Sequence, residues 1–222
     1  MKDGDFVSVD YVGRVKGTNE IFDLTLEDVA KKENVHNPKI LYRPVTLIVG
    51  GGFILRGLDE ALRGMNVGDR KTFEVAPDKA FGERREDMVK PIPEARFKDQ
   101  GIDPYPGAVI SVGELRGRIV SADGGRVKVD FNHPLAGKTL VYELEVKSLV
   151  EKPEDKVKSV VFYFTGMDDT DVKVADGVAE IAILRDVDVV RPVKSVIAEN
   201  AMKWCGVGKV RFVETFEHKA EK

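Results

Sequence analysis

Three sets of residues in this 222-residue chain have types and spacings that could support chemistry. The first is Gly50-Gly51-Gly52, between a strand-like and a helix-like segment, where backbone N–H groups could bind phosphate at a helix N-terminus. A phosphate-binding loop ends in Gly-Lys-Ser/Thr, whereas this chain continues Phe-Ile-Leu-Arg. A close-packed strand-to-helix turn is therefore favoured over a nucleotide site.

The second set would support covalent or metal catalysis. His36 and His133 are present, but no serine lies in a Gly-x-Ser-x-Gly elbow. Cys205 follows Trp204 at the end of an apolar helical pattern, where a buried and unreactive thiol is the usual outcome. The three histidines and the single cysteine are far apart and show no metal-ligand spacing. We expect no covalent intermediate, no metal and no cofactor.

The third set is aromatic and aliphatic, with one acid, and each of its pieces alone predicts only core packing. The pieces, in order, are Val7-x-Val9-x-Tyr11-x-Gly13, Ile21-Phe22-Asp23, Phe53-Ile54-Leu55-Arg56-Gly57-Leu58 and Ala80-Phe81-Gly82, closed by a strand with Tyr142. In this order and spacing they resemble the FKBP family of peptidyl-prolyl cis–trans isomerases, over roughly residues 1–150. The segment Asn132–Gly137, after a predicted hairpin, resembles the return into the isomerase domain in the insert-bearing, SlyD-like branch.

The resemblance implies a mechanism without a reactive group. Twisting an X–Pro bond costs ~18–20 kcal/mol but makes and breaks no bond. An apolar cavity that favours the twisted amide therefore suffices. The implied catalytic residues are Tyr11, Phe22, Asp23, Phe81 and Tyr142. The implied substrate-binding residues are Val45, Leu47, Ile54, Leu55, Leu58 and Leu140, with the Leu55 backbone N–H holding a substrate carbonyl.

Several positions depart from the family or have a simpler explanation. Leu58 stands where many small members have tryptophan, Phe81 replaces a tyrosine and Val45 replaces a common aromatic residue. Activity should survive these changes, but affinity for macrolide inhibitors is in doubt. Outside its motif Asp23 would be a capping or salt-bridged turn carboxylate. His133, beside Pro134, is assigned to a turn and left out of catalysis.

The residue pattern around these positions predicts an α+β domain in which an antiparallel sheet wraps on one helix. Alternating apolar residues predict the strands, and Leu55, Leu58, Leu62 and Met65 form the apolar stripe of the helix. The predicted strands are 6–15, 44–49, 71–75 and 139–150. This discontinuous isomerase domain would comprise residues 1–83 and 132–152.

Two further units are predicted. Residues 84–131 form a small β-rich inserted domain that contains a hairpin turning at Asp123-Gly124-Gly125. The charged run at 83–87, where this domain begins, is interpreted as a solvated hinge strand. Residues 153–222, after a polar linker at 152–156, form a C-terminal α+β domain. Its predicted strands are 160–164, 172–174, 178–184 and 210–215, with a helix at 193–204.

The resemblance also gives these units roles. In SlyD-like proteins the insert grips unfolded chains, and the candidate chain-binding residues here are Met88, Ile92, Phe97, Tyr105 and Val109. We therefore predict an isomerase and folding chaperone acting on unfolded or nascent proline-containing polypeptides. The alternative is a non-catalytic peptide-binding protein with the same fold. Long archaeal members carry an extra C-terminal domain, through which the chain could form a homodimer.

Composition limits the remaining classes. A net charge of -3 without a basic cluster argues against nucleic-acid binding, and no apolar run approaches the ~18 residues of a membrane span. The polar N-terminus lacks the pattern of a secretory signal, and one cysteine permits no internal disulfide, so we expect a cytoplasmic protein. A charged fraction of 33% with a single glutamine, Gln100, suggests a thermophilic source.

Overall fold

The computed structural model describes residues 1–113, 115–183 and 189–214, and the elements below lie in these ranges. In chain order they are β1 (Phe6–Val15), β2 (Ile21–Leu24), α1 (Glu27–Lys32), β3 (Val45–Ile48), α2 (Arg56–Leu62), β4 (Arg70–Val75), β5 (Val89–Pro93), α3 (Ala95–Lys98), β6 (Val109–Val112), β7 (Leu115–Asp123), β8 (Arg126–Asp130), β9 (Leu140–Leu149), α4 (Pro153–Thr165), β10 (Thr170–Ala175), β11 (Val178–Ile183), α5 (Arg191–Trp204) and β12 (Lys209–Val213). None of these helices is long and apolar enough to cross a bilayer.

The first sheet is antiparallel and is covered by α2. Its strand order is β2-β1-β9-β4, and β3 also pairs with β1. Helix α2 buries Leu58 and Leu62 against the sheet. Its approach requires glycine at position 57, because a Cβ there would lie 2.3 Å from Cγ1 of Val75. The predicted α+β fold with a helix across an antiparallel sheet is confirmed.

A second sheet forms the inserted unit, with strand order β5-β8-β7-β6. Its predicted hairpin is confirmed: Gly124 and Gly125 both have positive φ, as the tight turn between β7 and β8 requires. Phe97 of this unit was predicted to bind unfolded chains, which requires an exposed side chain. Phe97 is only 5% exposed and packs with Ile119 and Val127 in the small core, so its assignment to chain binding is wrong.

The C-terminal unit begins with a helix, so the predicted linker at 152–156 and strand at 160–164 are wrong. Pro153 opens α4, a position where its missing N–H costs nothing, and Gly166 ends it with φ of 68°. The run Val160–Phe164 has strand-like composition, but Val157, Val160, Val161 and Phe164 recur at helical spacing and pack on one core. The observed order is α-β-β-α-β rather than four strands and one helix.

The C-terminal unit shares a core with the first sheet. Phe6 and Ile48, from β1 and β3, are buried in the same cluster as Val157 and Val161 of α4. Cys205 lies in this cluster at 4% exposure, and burial raises its thiol pKa to about 12. The expectation that this thiol is buried is confirmed. Residues 184 and 215, at the ends of two predicted strands, lie outside the described residues.

Candidate active site

One large cavity, of about 1040 Å³, opens beside the first sheet. Ten of the eleven predicted catalytic and substrate-binding residues line it: Tyr11, Phe22, Asp23, Val45, Leu47, Ile54, Leu55, Leu58, Phe81 and Tyr142. The exception is Leu140, which is 0% exposed and packs beneath Leu58 and Tyr142. Its assignment to substrate binding is wrong: Leu140 lies on the same face of β9 as Tyr142, two residues away, but it is wholly enclosed by the core.

The sheet register explains how residues distant in sequence meet in the cavity. Tyr142 of β9 lies opposite Gly13 of β1 and Phe73 of β4, and Gly13 lies opposite Asp23 of β2. Residues opposite one another across antiparallel strands project from the same face. Tyr11, two residues before Gly13, projects from that face as well, and its ring centroid is 5.8 Å from that of Tyr142.

A bulge and a glycine place Phe22. On β2, Asp23 pairs with Gly13 and Ile21 with Arg14, so Phe22 is the extra residue of a bulge. Bulges re-aim a side chain relative to the sheet. The Phe22 ring lies so close over Gly13 that a Cβ at position 13 would be 2.7 Å from Cζ of Phe22.

The Phe22 ring forms edge contacts with two other rings of the cavity. Its centroid is 5.7 Å from that of Tyr142 and 6.4 Å from that of Phe81. Such tilted aromatic pairs are favourable beyond the area that they bury. The side chains therefore form a connected aromatic wall rather than separate core contacts.

The acid of the site is held by a tyrosine. The Tyr11 hydroxyl donates a 2.7 Å hydrogen bond to Oδ2 of Asp23, whose side chain is exposed at the cavity wall. Burial, and then the Asp23 charge, raise the pKa of Tyr11 well above its usual value. The same two causes raise the pKa of Tyr142. Both phenols therefore remain protonated donors across the physiological pH range.

The turn before α2 presents a backbone donor. The Leu55 N–H has no acceptor within the described ranges, while the Leu55 carbonyl accepts from Leu58 and Asp59 at the start of the helix. The Asp59 carboxylate also accepts a 2.7 Å hydrogen bond from the N–H of Gly50. The glycine turn is thus tied to the helix, and the Leu55 N–H is left free to bind a substrate carbonyl.

Similarity to known proteins places the chain in a family. The chain is 36% identical over 149 residues to the short-type peptidyl-prolyl cis-trans isomerase of Methanocaldococcus jannaschii, a match covering 67% of this chain and 94% of that protein. The chain belongs to the FKBP-type peptidyl-prolyl cis–trans isomerases. It is also 35% identical over 130 residues to the FKBP-type 16 kDa isomerase of Escherichia coli K12, covering 56% and 85% of the two chains.

Two further matches concern the insert-bearing branch of these isomerases. The SlyD isomerase of Vibrio cholerae is 31% identical over 141 residues, covering 61% of this chain and 67% of that protein. A family model described as the FKBP26 IF domain matches residues 90–135. The likeness to SlyD-like isomerases with an insert is thereby confirmed, and so is the assignment of the chain as a peptidyl-prolyl isomerase.

The insert of this isomerase joins the FKBP-like sheet at the rim of the cavity. Its two connections are linked by a 2.8 Å hydrogen bond from the Gly137 N–H to the Gly82 carbonyl and by an Arg84–Asp130 ion pair of 2.7 Å. The predicted turn residue His133 stacks flat on Phe81, with ring centroids 4.2 Å apart. His133 therefore supports the rim and does not line the cavity.

The remaining candidate chain-binding residues lie on the insert's surface or at its edge. Tyr105 and Val109 are 64% and 55% exposed, while Met88 and Ile92 are half-buried. Sequence reasoning missed one exposed pair, Val112 and Leu115, which are directly opposite on β6 and β7 and continue the face of the buried Ile110. The available signal was the spacing of two residues between Val112 and Ile110 on β6, which places both on one face.

Sequence reasoning also missed a whole wall of the isomerase cavity. The wall comes from the C-terminal unit and from the segment before β3, and its residues are Arg43, Lys158, Ser159, Phe162, Tyr163, Gly166, Met167 and Asp168. Once α4 is known, helical spacing explains this wall. The face of α4 opposite its buried face consists of residues 158, 159, 162 and 163, and residue 166 continues it.

Proposed function

We propose that this isomerase accelerates rotation about X–Pro bonds of unfolded or partly folded proteins by non-covalent stabilisation of the twisted amide. The observation that supports the proposal best is the connected wall of Tyr11, Phe22, Phe81 and Tyr142 beside the free Leu55 N–H. An apolar wall excludes water that would otherwise hydrogen-bond to the planar amide. The Leu55 N–H would hold the substrate carbonyl while the prolyl nitrogen turns.

The energy required is within reach of such a site. Each ~1.4 kcal/mol of preference for the twisted over the planar amide gives a tenfold acceleration, so ~7 kcal/mol gives about 10⁵-fold. Binding that favours both forms equally would lower KM without raising kcat. Asp23, fixed by Tyr11, contributes a carboxylate beside the bound amide, where it would act on the dipole that changes during rotation.

A peptide exchange experiment tests this proposal. NMR exchange spectroscopy on a short Leu-Pro peptide should show catalysed cis–trans exchange, with kcat/KM reduced about tenfold or more in Asp23→Ala and in Phe81→Ala. Val35→Ala, at a position 44% exposed and outside the cavity, is the control and should match the unmodified protein. Tight peptide binding without faster exchange would overturn the proposal in favour of a non-catalytic binding protein.

We further propose that the insert holds unfolded chains for the isomerase site. The exposed apolar residues supporting this are Tyr105, Val109, Val112 and Leu115. Holding a chain beside the cavity raises its effective concentration there. The double variant Val112→Ser/Leu115→Ser should slow catalysed refolding of a proline-limited protein relative to short-peptide isomerisation. Val35→Ser/Leu41→Ser, outside the insert, is the matched control, and equal refolding rates in the two double variants would reject the holding role.

We propose an isomerase domain of residues 1–83 and 132–152, an inserted domain of 84–131 and a C-terminal domain of 153–222, in a cytoplasmic protein that does not bind nucleic acid. Pairing through an edge strand of the C-terminal sheet β10-β11-β12 would form a homodimer. Light scattering should then give twice the chain mass; the mass of one chain would reject the dimer.

A further inference from the structure

The isomerase cavity is larger than a prolyl bond requires. Its volume of about 1040 Å³ is slightly above the ~300–1,000 Å³ of pockets that enclose whole drug-sized ligands. The FKBP-like sheet and α2 supply one side of the cavity. The opposite side is supplied by α4 and the residues after it. A polypeptide bound at the proline pocket would therefore continue along the C-terminal wall.

The C-terminal wall is joined firmly to the turn that carries the Leu55 N–H. The Tyr163 hydroxyl donates a 3.2 Å hydrogen bond to the backbone oxygen of Phe53, two residues before Leu55. The rings of Phe53 and Tyr163 also meet edge to face, with centroids 4.8 Å apart. The position of α4 and the position of the substrate-binding turn are therefore coupled.

A second connection crosses the mouth of the cavity. Arg43, in the segment before β3, pairs with Asp168 beyond the end of α4. The Arg43 guanidinium also lies over the ring of Phe162, 4.7 Å from its centroid. Through these two contacts, Arg43 fixes the orientation of the Phe162 ring at the wall.

The surface that the wall offers is apolar with one free positive charge. Phe162 and Met167 are half-buried, line the cavity and are not packed against the buried core clusters. The charge of Asp168 is offset by Arg43, whereas exposed Lys158 has no ion-pair partner in the parts of the chain that the structure covers. Such a surface suits a polypeptide segment in which an apolar residue lies next to an acidic residue.

We propose that α4 and residues 166–168 form a flanking subsite of the isomerase. The subsite binds polypeptide residues next to the prolyl bond, with an apolar side chain against Phe162 and Met167 and an acidic side chain beside Lys158. The occupant is the substrate chain itself, because the wall and the proline pocket bound one continuous cavity. This inference rests on the proposed isomerisation at that pocket and adds a specificity that the FKBP-like part alone would lack.

Peptides of two lengths test the subsite. A tetrapeptide with a central Leu-Pro is compared with peptides extended by four residues on one flank or the other, each extension carrying Phe with Asp, Ser or Lys. In Phe162→Ala/Met167→Ala the ratio of kcat/KM for the extended to the short peptide should fall about tenfold. Met202→Ala, 42% exposed on α5 and outside the cavity, controls for the loss of a methionine and should keep the original ratio.

The charge prediction uses a separate, exposed variant. The unmodified protein should prefer the Asp extension over the Lys extension about threefold, and Lys158→Glu should reverse that order. Lys209→Glu, the same charge change on exposed β12, should keep it. An unchanged preference in Lys158→Glu, or equal losses on short and extended peptides in the double variant, would overturn the subsite. If the unmodified protein failed to accelerate even the tetrapeptide, the proposed isomerisation itself would be wrong.

Discussion

Tyr11 and Asp23 are joined by a 2.7 Å hydrogen bond across β1 and β2, from the phenol to Oδ2 of the carboxylate. The register places both on the cavity side of the sheet, because Asp23 lies opposite Gly13, two residues along from Tyr11. A bond from a neutral donor to a charged acceptor is stronger than one between neutral groups. It holds the carboxylate in one orientation at the wall of the proline pocket.

Replacing the phenol tests whether this orientation matters. Tyr11→Phe keeps the ring contact with Tyr142 but removes the donor, so we expect kcat/KM on a short Leu-Pro peptide to fall about five- to tenfold, the effect of ~1 kcal/mol. Asp23→Asn is the complementary change, since it keeps an acceptor for Tyr11 and removes the charge. Full activity in Tyr11→Phe would show that the hydrogen bond has no part in positioning the acid.

The two cavity phenols should ionise only in strongly alkaline solution. Burial and the Asp23 charge raise the pKa values of Tyr11 and Tyr142 above the free value of ~10. Each phenol therefore stabilises the folded state fully below pH ~10, and that contribution is lost as the pH rises through the folded pKa. In spectrophotometric titration at 295 nm, Tyr11→Phe and Tyr142→Phe should each remove a component that appears well above pH 10. Components removed near pH 10 would contradict the burial of these phenols.

A methyl group at position 13 should disturb the site through Phe22. In Gly13→Ala the new Cβ would lie 2.7 Å from Cζ of Phe22, and this ring is confined by Tyr142 and Phe81. We expect the ring to move and kcat/KM on the short peptide to fall about tenfold. Gly64→Ala is the matched control, because its φ is not in the left-handed range and its Cβ would meet no atom within 4 Å. Equal kinetics in both variants would show that the position of Phe22 is unimportant.

Much of the isomerase part could be predicted from the sequence, because its signals are local and periodic. The residue pattern predicted β1, β3, β4 and β9 of the first sheet but not the short β2, and the stripe including Leu58 and Leu62 predicted α2. The motifs that include Phe22 and Asp23 predicted ten residues that do line one cavity. Leu140 was misplaced because it shares the face of Tyr142 on β9, and a motif match does not say how deeply a position on that face is buried.

The C-terminal wall could not be predicted, because its signal depends on an element that composition disguises. The β-branched and aromatic run 160–164 has strand propensity, and tertiary packing of Val157 and Val161 against Phe6 overrides it. Without the helix, Phe162 and Met167 have no common face. The contact of Tyr163 with Phe53 joins positions 110 residues apart, and no local pattern marks it.

The most direct test of non-covalent catalysis by the apolar cavity is the solvent isotope effect on kcat/KM for prolyl isomerisation. Rotation of a bound amide moves no proton between heavy atoms, so rates for the short Leu-Pro peptide in H₂O and D₂O should be equal to within about 20%. A ratio of about 2 or more would show proton transfer in the rate-limiting step and would contradict rotation driven by the aromatic wall alone.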